Sequence, residues 1–152
     1  MSRSLGVWAK KQEIYLAVAE EGELQDVDPQ KIDAPSIMEA NARLGGFVTS
    51  FRHALNDIAP EAVRILQPEQ TYQASYSDFA PKLALETVVR LVCSETDVPV
   101  EMLHRTTARS RLGYARSGSL DSHIEESLRS VGRYWNAGRK YAAVAALAAE
   151  GE

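Results

Sequence analysis

The sequence holds a single cysteine, Cys93, among its 152 residues. An internal disulfide framework is therefore excluded, and the composition fits a reducing cytoplasm. Its three histidines, His53, His104 and His123, stand too far from one another and from Cys93 to suggest a zinc site. No apolar run approaches the roughly 18 residues of a membrane span. The longest candidate, Tyr141 to Ala149, is mostly alanine. The opening stretch MSRSLGVWAKKQ has no apolar signal core, so the expectation is a cytoplasmic chain with no membrane partner. There is no dinucleotide fingerprint, phosphate loop or nucleophile elbow, and no cofactor or metal is expected. The glycine pair Gly45–Gly46 precedes no lysine or serine in the frame such loops require.

What is present is an ordinary globular composition, 45% hydrophobic and 25% charged, at a length suited to one domain over residues 1–152. Charge is segregated along the chain. Residues 1–100 carry 9 Lys/Arg against 15 Asp/Glu, whereas residues 101–141 carry 8 Lys/Arg, seven of them arginine, against 4 acids. An acidic body with a basic C-terminal third can engage an anionic partner locally.

Periodicity orders the elements. Ser4–Ala9 and Ile14–Glu21 are short apolar strands joined by polar KKQE, the pattern of a hairpin. Glu23–Ile32 reads as a third strand, with Pro29 suiting a sheet edge. Leu44, Phe47, Val48, Phe51, Leu55 and Ile58 share one helical face, ended by Pro60. Ser36–Glu39 has the form of a capping box, and Gly45–Gly46 implies a frayed first turn or close packing. Ala62–Gln67 is a fourth strand reached by a crossover, which implies a parallel neighbour. A polar loop with two tyrosines follows. The next helix starts near Asp78 and carries Leu83, Leu85, Val88, Val89 and Val92. A fifth strand at Val98–Leu103, a short helix at Thr106–Leu112, a helix from Leu120 to Val131 and a last helix from Asn136 to Ala149 complete the chain.

Several segments carry a resemblance. LGVW at Leu5–Trp8 resembles an opening strand usually written L-G-I-D-x-G. AVRILQPEQ at Ala62–Gln70 resembles a central strand bearing a Glu-Gln pair, and PKLALETVVRLV the helix after it. HRTTARSRLG resembles the fifth strand running into a short helix. RKYAAVAALA at Arg139–Ala148 resembles a final helix usually written D-E-A-D-A-L-A-x-A. In this order the segments resemble the ribonuclease H-like superfamily, and within it the RuvC-type Holliday-junction resolvases and their small bacterial relatives. The resemblance implies an α/β fold, a five-stranded mixed sheet in the order 3-2-1-4-5 with helices on both faces. It also implies two divalent ions held between carboxylates. Here the first acid position falls on Trp8. The second falls on Leu66 if strand ends are matched, or on Glu69 if Glu69–Gln70 anchors the match. The acids of the last helix fall near Arg139 and Ala142.

These degenerate positions leave at most one carboxylate, and an arginine in place of an acid repels a cation. No residue is therefore assigned a catalytic role. The implied function is that of a catalytically inactive RuvC-like module acting by protein interaction or assembly. Its partner is another copy of itself or another protein. The helix from Asp78 to Cys93, apolar around more than one narrow stripe, is the dimer candidate. The alternative is structured DNA or RNA, bound by phosphate contacts from Arg105, Arg109, Arg111, Arg116, Arg133, Arg139 and Lys140. Tyr72 and Tyr76 would then stack on bases, or else simply cover core edges. A nuclease with a rearranged site is the third reading. Cys93 reads as a small buried hydrophobe.

Overall fold

A computed structural model describes residues 3–10, 12–27, 29–33, 41–67, 76–115, 117–128 and 133–148. Strands β1 (Arg3–Ala9) and β2 (Glu13–Glu20) form the expected hairpin, with Leu5 opposite Val18 and Trp8 opposite Tyr15. The Lys10 N–H closes the turn on the Glu13 carbonyl at 2.8 Å. β5 (Ala62–Leu66) lies parallel to β1, and β6 (Val100–Leu103) lies parallel to β5. With β3 (Glu23–Gln25) on the outer side of β2, the order is β3-β2-β1-β5-β6, the mixed arrangement the sequence implies.

One element departs from expectation. The third strand is not continuous over Glu23–Ile32 but divides into β3 (Glu23–Gln25) and β4 (Lys31–Asp33). Both pair antiparallel with β2, so the sheet has six strands rather than five. Pro29, between them, has no N–H for the ladder, and the chain leaves and rejoins β2 around it.

Alternation along each strand makes two cores. Leu5, Val7 and Ala9 of β1 and Val63 and Ile65 of β5 face helices α1 (Asn41–Ile58) and α2 (Tyr76–Glu95). Phe47, Phe51 and Leu55 come from α1, and Leu85, Val89, Val92 and Cys93 from α2. Burying each large side chain contributes about 1.5–3 kcal/mol. Trp8, Tyr15, Ala17 and Leu66 face the other way, toward α3 (Arg105–Leu112), α4 (Leu120–Ser127) and α5 (Lys140–Leu147). The Ser36–Glu39 capping box lies outside the described residues. Gly45 and Gly46 sit within α1, where an added Cβ would meet nothing within 4 Å, so close packing is not their role. α4 ends at Ser127, short of Val131, with the Leu128 N–H bonded to the Ile124 carbonyl. The last helix is preceded by a π-turn at Trp135–Arg139 rather than being α-helical from Asn136.

The seam between α5 and β1 places the candidate site. A Cβ at Gly6 would overlap the Ala142 carbonyl oxygen and come within 2.5 Å of the Ala146 nitrogen. Only glycine on the strand and alanines on the helix allow that approach.

Candidate functional site

Trp8 stands near the carboxyl end of β1, and α5 brings Tyr141 over it, ring centroids 4.8 Å apart and inclined by 47°. Cations close the cluster. Lys82, from α2, sets its ammonium 3.7 Å from the Trp8 centroid. It also donates 2.8 Å to the Ala9 carbonyl and lies 3.2 Å from Glu86, one helical turn along. The Arg105 guanidinium, from the start of α3, lies 5.4 Å from the Trp8 ring and 5.0 Å from Tyr141, and its Nε donates to the Gln67 carbonyl at 3.3 Å. Lys140 sits 5.4 Å from the Tyr141 ring. Tyr141 donates its hydroxyl to Asp121 at 2.5 Å, and Lys140 approaches the same carboxylate at 3.8 Å.

Trp8, Lys82 and Glu86 are all buried. Burial opposes charge on both partners of the ion pair, drawing Lys82 below its ordinary value and Glu86 above its own, while the pairing resists each shift. Burial, with the Asp121 hydrogen bond, pushes the Tyr141 hydroxyl up to about 12.

The cluster continues across the sheet. Cross-strand register puts Trp8, Tyr15 and Lys31 in one row. Lys10 lies 5.6 Å from the Tyr15 ring and Lys31 5.0 Å from Tyr134, whose ring is 6.2 Å from Tyr15. Tyr15 hydrogen-bonds Glu13. Gly138, at φ 153°, fits over this row because a Cβ there would come within 2.9 Å of both Trp8 and Tyr15.

The anticipated residues are placed unevenly. Trp8, Leu66 and Ala142 share the core under α5, where Leu66 and Ala142 are fully buried. Arg139 is also inside, 1% exposed, with Nε donating to the Leu16 carbonyl at 2.9 Å. Burial lowers its pKa, against the opposing influence of Asp26. Arg111 makes a two-point contact with Glu101 at 2.6 and 2.7 Å, and that pairing holds the carboxyl below its ordinary value. Arg109 is half-buried on α3, and Arg133 is exposed far from Arg111, beside β4. The anticipated arginine surface is thus dispersed: Arg105 and Lys140 meet at the cluster, while Arg111 and Arg139 hold structure. Glu69, Tyr72 and Arg116 lie outside the described residues, as does the side chain of Tyr76 at the start of α2.

Sequence reasoning missed Lys82, Lys10, Lys31, Tyr15 and Tyr134. For Lys82 there was a signal, a lysine four residues before Glu86 on an otherwise apolar helix.

A divalent ion requires oxygen ligands. Trp8 offers none, and two cationic side chains stand over its ring. Among the described residues no three His, Cys, Asp or Glu side chains gather as a metal site. The described residues at this end of the sheet do not fit a pair of divalent ions. Among those residues, too, no helix is long and apolar enough to cross a membrane.

No protein-family profile matches the chain, and no curated protein matches it by sequence. Solved structures similar in fold include two of RuvC. Thermus thermophilus RuvC in complex with a Holliday-junction substrate superimposes with a TM-score of 0.72 at 16% identity, over 97% of this chain and 92% of that one. Thermus thermophilus RuvC alone gives 0.68 at 17%, over 96% and 92%. The strand order, the crossover helices and this full-length superposition agree: the chain has the ribonuclease H-like fold of the RuvC resolvases.

Proposed function

We propose that this chain is a RuvC-like module that binds structured nucleic acid without two-metal hydrolysis. One observation carries the reading: Lys82 and Arg105 stand over Trp8, where the resemblance puts the first metal-binding acid. An end of the sheet built to hold cations is acidic, whereas this one seats the buried Lys82 ammonium over Trp8 and places the half-buried Arg105 and Lys140, groups suited to phosphate, beside it. The Thermus protein of the same fold binds a Holliday junction, which supports branched DNA as the first substrate to try. Fluorescence anisotropy with a four-way junction in chelator should show binding that weakens steeply with salt, with a log–log slope of roughly −2 to −3 for about three phosphate contacts. Arg105→Glu combined with Lys140→Glu should remove most of it. No cleavage should appear with magnesium or manganese. Absence of binding at low salt, or cleavage that Glu69→Ala abolishes, would overturn the proposal.

Self-association is the second reading, favoured by α2. Leu85, Val89 and Val92 face the core, but Leu83 and Leu91 remain 55% and 56% exposed at i and i+8. The last helix, the competing cover within the chain, lies on the opposite face of the sheet. A homodimer through this stripe predicts a light-scattering mass near twice 16.7 kDa. Leu83→Asp with Leu91→Asp should return it to a monomer; an unmodified protein that stays monomeric when concentrated refutes it.

A further inference from the structure

The cation and aromatic row has one exposed end. Trp8 and Tyr15 are 8% and 2% exposed and therefore offer no free face, whereas Tyr134 is 38% exposed. Its backbone is in the left-handed region, φ 66° and ψ 16°, an unfavourable conformation for an aromatic residue. The chain holds it there firmly. The Tyr134 carbonyl accepts N–H bonds from Ala137, Gly138 and Arg139 at 3.1, 3.2 and 3.1 Å. The preceding Arg133 N–H donates to Gln30 at 2.8 Å. The strained residue opens the turn that leads through the kink at Gly138 into α5.

Charge surrounds the ring. Lys31 lies 5.0 Å from its centroid and is itself held by Asp33 at 3.2 Å and Glu13 at 3.9 Å. Lys10 and Arg133 are both exposed nearby, one beside Tyr15 and the other adjacent in sequence. An aromatic at the core of a protein interface is normally ringed by apolar groups and depleted of charge. An aromatic flanked by cations suits a strand of bases and phosphates. Paired bases present only their edges, so a side-chain ring can stack only on an unpaired or splayed base.

Resting on the nucleic-acid reading above, we propose that Tyr134 is the stacking platform for one unpaired base, with Lys10 and Arg133 meeting the flanking phosphates. The strand then enters from the β4 side and runs along the row toward Arg105, which stands over Trp8, about 10 Å for the two strand spacings from β4 to β1.

The test compares a single-stranded oligothymidine with a fully paired duplex by fluorescence anisotropy. Tyr134→Gly removes the ring and suits the left-handed backbone, so the fold is retained and circular dichroism should match the unmodified protein. It should weaken single-strand binding by roughly tenfold, within the range for removing a base-stacking aromatic, and leave duplex binding within about twofold. Tyr134→Phe keeps the ring and should bind like the unmodified protein. An oligonucleotide carrying 5-iodouracil should cross-link to Tyr134, located by mass spectrometry. If the unmodified protein binds and Tyr134→Gly binds equally well, or loses duplex and single strand alike, the platform is refuted while the wider reading stands. A variant that changes the oligomeric mass instead assigns Tyr134 to a protein contact and refutes it too. An unmodified protein that binds no nucleic acid overturns both.

Discussion

Replacing Lys82 by methionine tests the central pair directly. Methionine keeps the unbranched stem but removes the ammonium that lies 3.2 Å from Glu86, 2.8 Å from the Ala9 carbonyl and 3.7 Å from the Trp8 ring. Glu86, 3% exposed, is then a buried carboxylate without its partner. It can escape that state by taking a proton, so protonation sets a ceiling on its share of the cost. From an ordinary value of 4.5 to pH 7 the ceiling is about 3.4 kcal/mol, and at pH 5 it is about 0.7 kcal/mol. A folded-state value raised above the unfolded one means that the folded chain binds more protons between the two. Stability is therefore greatest below the unfolded value and falls as pH rises through the folded one. The variant should thus be destabilised at pH 7 by about 3–5 kcal/mol, the usual cost of breaking a buried pair, and by markedly less at pH 5. At this size the neutral-pH loss lowers Tm by about 6–20 °C. Lys82→Met combined with Glu86→Leu should recover most of it, since the uncompensated charge is gone. Urea denaturation followed by tryptophan fluorescence reads all three proteins. A cost below about 1 kcal/mol at pH 7, unchanged at pH 5, would refute the reasoning, because the ammonium would then be solvated rather than seated over Trp8.

Gly6→Ala places a methyl group against the backbone of α5 rather than against a side chain able to turn aside. The cost should reach at least about 3 kcal/mol in the same urea assay, and one below about 1 kcal/mol would contradict the seam described. Glu101 is held below its ordinary value by Arg111, with Arg64 3.4 Å away. Its contribution is present above the unfolded value and lost as pH falls through the lowered folded value, so Glu101→Gln should flatten the Tm profile between about pH 6 and pH 3, and a parallel profile would show that the pair adds nothing.

Much of the fold was legible because hydrophobic spacing is local. Leu5, Val7 and Ala9 against Ile14, Leu16 and Val18 mark a hairpin, and Phe47, Phe51 and Leu55 mark the face of α1 that the structure buries. The third strand was misread because Leu24 and Ile32 look like parts of one edge. The intervening proline interrupts the ladder, while β2 is long enough to pair with both pieces. The position of Arg139 was hidden by a different irregularity. A continuous helix from Asn136 assigns faces at 100° per residue, and the kink at Gly138, φ 153° and ψ −14°, breaks that register before α5 begins. Trp135–Arg139 holds that kink, and it carries Arg139 under the sheet, where its Nε meets the Leu16 carbonyl.

The cluster itself was not legible, because its members are scattered in sequence and only the sheet register unites them. Trp8 comes from β1, Tyr15 from β2, Lys31 from β4, Lys82 from α2, Arg105 from α3 and Tyr141 from α5. β1 runs two residues past Val7, its last match with β5, and the Ala9 carbonyl there accepts from Lys82. Lys82 therefore does two jobs: it satisfies a strand-end carbonyl and neutralises Glu86, and its charge rests on a ring that tolerates a cation at close range. A carboxylate placed at position 8 would meet Lys82 and Arg105 before it met any ion from solution. The positive charge over Trp8 comes from two elements, Lys82 on α2 and Arg105 on α3, so the Coulomb repulsion that an incoming cation meets there is shared between them.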